Sequence, residues 1–436
     1  MMEICNIPVG IVICNWNKKD YILKCIESVK QLNYRNYDIT VVDNASTDGS
    51  VEAIEEEYPD VTLIKNTENK GGSGGFNTGI KYILNKNKYK YLYLLDNDVI
   101  VDQDALYELV KEMESDEHLG IVGSKIYVMD IPNQIQELGA FVRWNNATLE
   151  FNKRGYIEEE GIVTENVEVD YVPACSLLVR VDAVETAGIM DEEFFLYWDD
   201  IEWAHRIKLK GYTIKAISSS KVWHKLGGGN KTNTLGTYYF WRNRIYFFNQ
   251  YAPEEQWEEI MSTIFEDYFT GMYTSLFYGK KQTARSMYEA IKDGINGRRG
   301  KAKENQYGLV GTPRIKLNDI ITSDQKIVIA DNQYSHSVKT MLDRRFPDLN
   351  YGSANDNNIT NEKVILIPCS HVFDHTDDIK YEGTKSYWID GYLNVLPNNT
   401  FGKKAINRFQ NKKHQFITKQ LTVLLERLRQ QRVEKE

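Results

Sequence analysis

The chain has few cysteines, no long apolar run and no surplus of positive charge. Its five cysteines stand at 5, 14, 25, 175 and 369, with no C-x-x-C pair and no zinc spacing. An odd, scattered set reads as reduced thiols in a cytosolic protein. No apolar stretch approaches the length of about 18 residues that a membrane-spanning helix needs. The amino-terminal region lacks a signal-peptide pattern, because Asn15, Asn17, Lys18 and Lys19 break its short apolar run. The expectation is a cytoplasmic protein, peripheral at most on the cytosolic membrane face. A net charge of −9 argues against a nucleic-acid binder. There is no Walker loop, no G-x-S-x-G elbow, no internal repeat and no low-complexity segment.

What is present is an ordinary globular composition, 42% hydrophobic and 26% charged, over 436 residues, enough for two or three domains. The 28 Tyr and 8 Trp offer stacking surfaces for bases or sugars. Apolar runs at 9–14, 37–42, 61–65 and 89–95 predict strands. Between them, 20–32, 50–58 and 75–84 read as helices; Ile22, Cys25, Ile26, Val29 and Leu32 share one face of the first. This alternation predicts an α/β fold with a parallel, doubly wound sheet. Further strands are expected at 120–127, 169–172 and 176–180, then a helix at about 200–210. Residues 236–301 read as a helical, increasingly basic extension, 302–322 as a linker, and 323–400 as a small α/β region without legible chemistry. Residues 401–436 form a basic amphipathic helix with Phe409, Phe416, Ile417, Leu421, Leu424 and Leu428 as its apolar stripe.

Polar residues gather at the carboxyl ends of the expected strands, where open α/β sheets bind ligands. The apolar run from Tyr91 stops at Asp96-Asn97-Asp98. Two hard oxygen donors there suit Mg²⁺ or Mn²⁺, which in turn holds phosphate oxygens; a solvated turn is the plain alternative. Asp43 can accept the ring N–H of a uracil or thymine, or can close an Asx-turn. The segment Asn69-Lys-Gly-Gly-Ser-Gly-Gly-Phe-Asn-Thr-Gly79 lets backbone amides approach a phosphate or sugar at a helix start, or is a flexible loop. Asp199 and Asp200 open a helix, where one can act as a general base, although helix N-termini favour acids without any function. Trp198 and Trp203 beside them favour a sugar packed on a ring. His224 follows a short strand, as a third metal ligand beside Asp98 or as a structural histidine.

Taken in order, these motifs resemble an inverting glycosyltransferase of family two with the GT-A fold, over about residues 5–300. The Gly-Gly-Ser-Gly-Gly-Phe loop, Trp198-Asp-Asp200, Trp223-His224 and Trp241-Arg-Asn-Arg244 look most like the galactofuranosyltransferase and rhamnosyltransferase branch, which builds bacterial cell-surface polysaccharides. The resemblance implies a GT-A catalytic domain over 1–235, with a doubly wound mixed sheet. It implies donor contacts from Asn15, Asp43, Gly71, Gly72, Asn77, Asp96 and Asn97, and acceptor contacts from Trp198 and Asp199. Asp98, His224 and Asp96 would hold Mn²⁺ or Mg²⁺, and Asp200 would be the catalytic base. The implied reaction moves a hexose, galactofuranose or rhamnose, from a UDP- or dTDP-linked donor to a glycan or lipid-linked acceptor. Cys14-Asn15-Trp16 departs from the Thr or Ser and Tyr frequent in the family, and Asn97 replaces a third Asp of some relatives. Three alternatives stand beside this reading: a glucose, galactose or N-acetylhexosamine donor; a nucleotidyltransferase; and a non-catalytic carbohydrate-binding protein. A nucleotidyltransferase would normally show a basic glycine-rich loop after the first strand, which residues 14–20 lack. The basic tail and Arg298-Arg-Gly-Lys-Ala-Lys303 either attach the protein to an anionic membrane face or pack on the enzyme or a dimer partner.

Overall fold

The computed structural model describes residues 4–159, 163–225, 233–311, 317–321, 326–346, 348–352, 363–375 and 385–433. The triple glycine at 227–229 lies outside the described residues. The chain forms two compact units. One comprises Met1–Ile264, Glu289–Gly308 and Gln431–Glu436; the other comprises Phe265–Tyr288 and Leu309–Gln430.

The first unit is built on a ten-stranded mixed sheet. Strands β1 (Val9–Asn15), β2 (Tyr37–Asp43), β3 (Thr62–Lys65) and β4 (Tyr91–Asp96) are parallel neighbours in the order β4-β1-β2-β3. Helices α1 (Lys19–Lys30), α2 (Ser50–Glu57) and α3 (Gly71–Leu84) connect them. β1 and β4 are apolar on both faces because helices cover both sides of such a sheet; Val9, Ile11, Ile13, Tyr93 and Leu95 are all buried. Then come β5 (Val99–Val101), α4 (Ala105–Ser115), β6 (Leu119–Val128) and β7 (Ile131–Glu137). A hairpin of β8 (Ala140–Arg143) and β9 (Thr148–Phe151) precedes β10 (Val167–Glu168), β11 (Ser176–Arg180) and α5 (Val181–Ala187). Helix α6 (Asp199–Leu209), β12 (Thr213–His224) and α7 (Leu235–Tyr251) follow.

β11 lies antiparallel between β4 and β6, so the sheet is mixed, as the family resemblance implies, and not parallel throughout, as strand–helix alternation alone predicts. The strand expected at 169–172 is displaced to Val167–Glu168. Residues beyond it make single contacts, Val169 N to Ile214 O and Tyr171 bridging Ala140, before Pro173. Helix α3 begins at Gly71, ahead of the expected start, with its glycines inside the first turns. They serve close packing there: a Cβ on Gly75 would lie 2.3 Å from Cys14 Sγ, and one on Gly79 2.3 Å from a Val12 methyl.

The second unit has a four-stranded sheet of Lys326–Ile329, Lys363–Cys369, Ser386–Asp390 and Val395–Pro397, the first three parallel and the last antiparallel. Ile327, Val338, Leu342, Leu366 and Ile389 fill its core. The tail is helical over Thr400–Phe416, π-helical over Ile417–Leu421 and α-helical again to Val433. Its stripe is largely occupied within the protein. Phe409 and Phe416 pack on Phe269, Phe409 also meets Tyr273 and Phe373, and Leu421 and Leu428 are buried. That arrangement is the packed-helix alternative; a membrane contact through the stripe would have to unpack it. Among the described residues, no helix is long and apolar enough to cross a membrane.

Candidate active site

The tips of β4, β1 and β2 are tied together by buried side chains. Asn97 Nδ2 donates to Asn15 Oδ1 at 2.7 Å, and Asn15 Nδ2 donates to Asp43 Oδ1 at 2.9 Å. Asp43 Oδ2 accepts Ser46 N–H at 2.8 Å, closing the Asx-turn foreseen as the alternative. Asn15 also reaches Ser46 Oγ, so its amide is engaged at both ends and joins strand tips rather than presenting itself to a donor. Asn77 is likewise engaged within the protein. Its Nδ2 donates to Met190 O at 2.8 Å and Glu192 Oε1 at 3.1 Å, while its Oδ1 accepts Met190 N–H.

Asp96 ends β4, and Asp98 stands just before β5. Because β5 pairs antiparallel with β12, Val99 faces His224, which brings the imidazole to Asp98. Asp96, Asp98 and His224 each offer a ligand atom within 4.8 Å of the others. His224 Nε2 lies 3.4 Å from Asp98 Oδ1, and its Nδ1 lies 3.0 Å from Gln136 Oε1. An outer partner of this kind fixes the ring so that Nε2 faces the site. Asp98 Oδ2 holds the Lys18 ammonium. Burial works to raise Asp98, but the hydrogen bond and charge of His224, with Lys18, outweigh it and hold this carboxyl low. Asp96 is pushed up by burial and by Asp98. Two carboxylates and an imidazole fit a hard divalent cation, Mn²⁺ better than Mg²⁺ because of the nitrogen donor. The ammonium on Asp98 stands in for positive charge at the same place.

The second carboxylate pair stands on a strained turn. Phe195, Tyr197 and Trp198 have φ of +66°, +60° and +69°. Left-handed backbone at non-glycine residues costs about 1–3 kcal/mol each and persists only where the surroundings enforce it. They do so here. Gly72 N–H donates to Phe195 O at 2.7 Å. Gly71 has φ +76°, and a Cβ on it would sit 2.0 Å from Phe195 O. The glycine-dense segment thus approaches residues 195–199 closely; Gly72 also faces Asp199 Oδ2, 3.4 Å from where its Cβ would be. From α7, Asn243 Nδ2 donates to the carbonyls of Phe194, Leu196 and Tyr197 at 2.8–2.9 Å. Arg242 donates to the carbonyls of Glu193 and Phe194, both at 3.1 Å. In the sequence Trp241-Arg-Asn-Arg244 is legible only as a family mark; its work is to clamp this turn.

The turn releases Asp199 and Asp200 into the start of α6. Asp200 Oδ1 accepts Ile201 N–H at 2.9 Å, and Oδ2 accepts Ala174 N–H at 3.3 Å. Burial pushes Asp200 up to about 7, opposed by these bonds and assisted by Glu137 and Asp96. Burial, then the Asp200 charge, raises Asp199 to about 8. Trp198 is 2% exposed, packed among Phe240, Phe247 and Phe248, and Trp203 is fully buried. Neither can offer its face to a sugar. The exposed ring is Tyr197, at 51%. Lys18 and Glu137 were not foreseen; their partners lie far away along the chain, and no local pattern marks them.

Residues 10–185 match the family described as Glycosyl transferase family 2. Poly-beta-1,6-N-acetyl-D-glucosamine synthase of Staphylococcus aureus (strain MSSA476) is 26% identical over 239 residues, 54% of this chain and 53% of that protein. The chain therefore spans about half the length of the curated relatives it matches first. An uncharacterized protein of Methanocaldococcus jannaschii is 29% identical over 150 residues, 33% of this chain and 64% of its own. Among solved structures, GalNAc-T7 with UDP, GalNAc and Mn²⁺ is similar at 16% identity and TM-score 0.47, over 61% of this chain and 50% of that one. Staphylococcus aureus TarS is similar at 15% identity and TM-score 0.45, over 69% and 50%. Over residues 10–185 the chain is similar to this family, and those residues lie in the first unit with its mixed sheet.

Proposed function

We propose that the chain is a metal-dependent inverting glycosyltransferase that moves a hexose from a nucleoside-diphosphate donor to a hydroxyl of a glycan or lipid-linked acceptor. The observation that carries this reading is the divergence of two carboxylates: Asp98 is held low beside His224 and Lys18, whereas Asp200 is raised to about 7. Carboxylates pushed apart in this way divide the roles of fixed charge and proton acceptor. Asp98, Asp96 and His224 would hold Mn²⁺ or Mg²⁺, which when bound supplies positive charge against the leaving diphosphate. Asp200, ionised above about 7, takes the proton of the acceptor hydroxyl as that oxygen bonds to the anomeric carbon. The bond from that carbon to the diphosphate breaks on the opposite face, so one displacement inverts the centre. Asp199 and Tyr197 lie next to the base and are suited to orient the acceptor; Trp198 supports them from behind.

The branch motifs favour galactofuranose or rhamnose as the sugar and cell-surface polysaccharide synthesis as the setting. A second reading, an N-acetylhexosamine donor, is favoured by the relative named for poly-N-acetylglucosamine synthesis. The test is release of nucleoside diphosphate from UDP-galactofuranose, dTDP-rhamnose and UDP-N-acetylglucosamine, with a crude lipid-linked acceptor and Mn²⁺. Consumption of one donor, abolished by a chelator, is expected. Failure of every donor both to react and to bind would overturn the proposal.

A further inference from the structure

A buried carboxylate that the proposed reaction does not use stands at the end of β7. Glu137 is 3% exposed. Arg154 donates to its Oε2 at 3.1 Å, whereas Oε1 is buried without a hydrogen-bond partner among the described residues. A polar atom left unmet in this way is costly, and in native folds it marks the place of a water, ion or ligand. Its aim follows from a β-bulge. Ile126 pairs with Glu137 and Tyr127 with Ile135, which leaves Gln136 as the extra residue. In a regular strand Gln136 and Glu137 would face opposite ways; a bulge re-aims them. Gln136 reaches His224, so Glu137 is the next residue along the chain from a side chain that touches that site. The charge of Glu137 is accordingly felt at Asp200, and that of His224 at Glu137.

We propose that Glu137 Oε1 accepts a hydrogen bond from a hydroxyl of the sugar bound beside Asp200, and so selects among sugars by that hydroxyl. This rests on the glycosyltransferase reading. The hydroxyl belongs either to the donor sugar or to the acceptor sugar, and the chemistry is the same for both. Arg154 keeps the carboxylate in place through the other oxygen.

The test uses the full chain and Glu137→Gln, which keeps the shape of the side chain. With Mn²⁺ present, UDP-galactofuranose, dTDP-rhamnose and UDP-N-acetylglucosamine are each titrated by calorimetry against their own nucleoside diphosphate. Acceptor KM and kcat are measured with whichever donor reacts. Diphosphate affinity should stay within about twofold, while intact-donor affinity falls, or acceptor KM rises, roughly ten- to hundredfold. The first result assigns the hydroxyl to the donor, the second to the acceptor. A variant that changes neither, or that weakens diphosphate and nucleotide sugar equally, overturns the proposal. Thermal melting of Glu137→Gln beside the parent chain controls for folding, and the unchanged diphosphate affinity controls for an intact nucleotide site. If Asp200→Asn still transfers sugar, the reaction assignment fails; the donor comparison remains interpretable because it needs binding alone.

Discussion

Replacing Asp200 by Asn should make the protein less active and, above neutral pH, more stable. The fold holds the Asp200 proton up to about 7, against about 3.9 in an unfolded chain. Between these values the folded state binds the extra proton, so this group's contribution to stability falls as pH rises through that window and is flat above it. The gap between about 3.9 and about 7 sets a ceiling of about 4 kcal/mol. The side chain is only half-buried, and solvent relaxation brings the figure nearer about 2 kcal/mol. An amide at 200 still accepts Ile201 N–H through its oxygen but gives up the long bond from Ala174, at about 1 kcal/mol. That loss does not vary with pH, so the pH dependence of the difference reports the carboxylate at 200 together with its effect on Asp199, which its charge helps to raise. Thermal melting of both proteins at pH 4, 5, 6, 7 and 8 is the assay, with transfer rates measured alongside. The melting advantage of Asp200→Asn should grow from pH 4 to 7 and then level off, while its rate falls about 10²–10⁴-fold. A difference that does not change with pH, or that shrinks as pH rises, would refute the burial of a raised carboxylate at this position.

Two further outcomes follow from the site's geometry. Gly71→Ala should cut transfer at least about tenfold with Mn²⁺ affinity preserved, because its methyl would strike Phe195 O and displace the turn that carries Asp200; unchanged kinetics would show that the turn is not held from α3. Lys18→Met should tighten Mn²⁺ binding about fivefold in calorimetry by removing the ammonium from Asp98; weaker binding would mean that Lys18 and the ion act together.

The sheet was legible where burial leaves a chain little choice. β1, β2 and β4 are continuous apolar runs ending in polar residues, and a run that stops at Asp96-Asn97-Asp98 announces a site. His224 was open in the sequence between a metal ligand and a structural histidine, since the β5–β12 pairing that brings it to Asp98 is long-range. Asn15 and Asn77 make hydrogen bonds within the protein that no local pattern announces, because an amide serves a backbone carbonyl or another side chain as well as it serves a ligand. Trp198 has a positive φ and a ring packed on Phe247, and nothing in Tyr-Trp-Asp-Asp signals a left-handed backbone. Gly71, Gly72, Gly74 and Gly75 read as a loop because helix propensity disfavours glycine, yet at Gly71 the approach of Phe195 and at Gly75 that of Cys14 leave no room for a side chain.

The hydrogen-bonded part of the clamp from α7 grips the 193–197 turn by its carbonyl oxygens, while Tyr239 and Tyr246 of the same helix pack on the rings of Phe195 and Phe194. The carbonyl bonds are blind to side-chain identity; the ring contacts are not. Tyr197, the exposed ring of the turn, lies against Gly236 of α7, so an exchange there removes an apolar contact with the helix but leaves the carbonyl bonds that hold the backbone before Asp200. The carbonyl bonds thus constrain the path of the backbone and leave the side chains of the turn to be held by packing. Those bonds come from Arg242 and Asn243, which lie beyond the segment 10–185 that the family match covers.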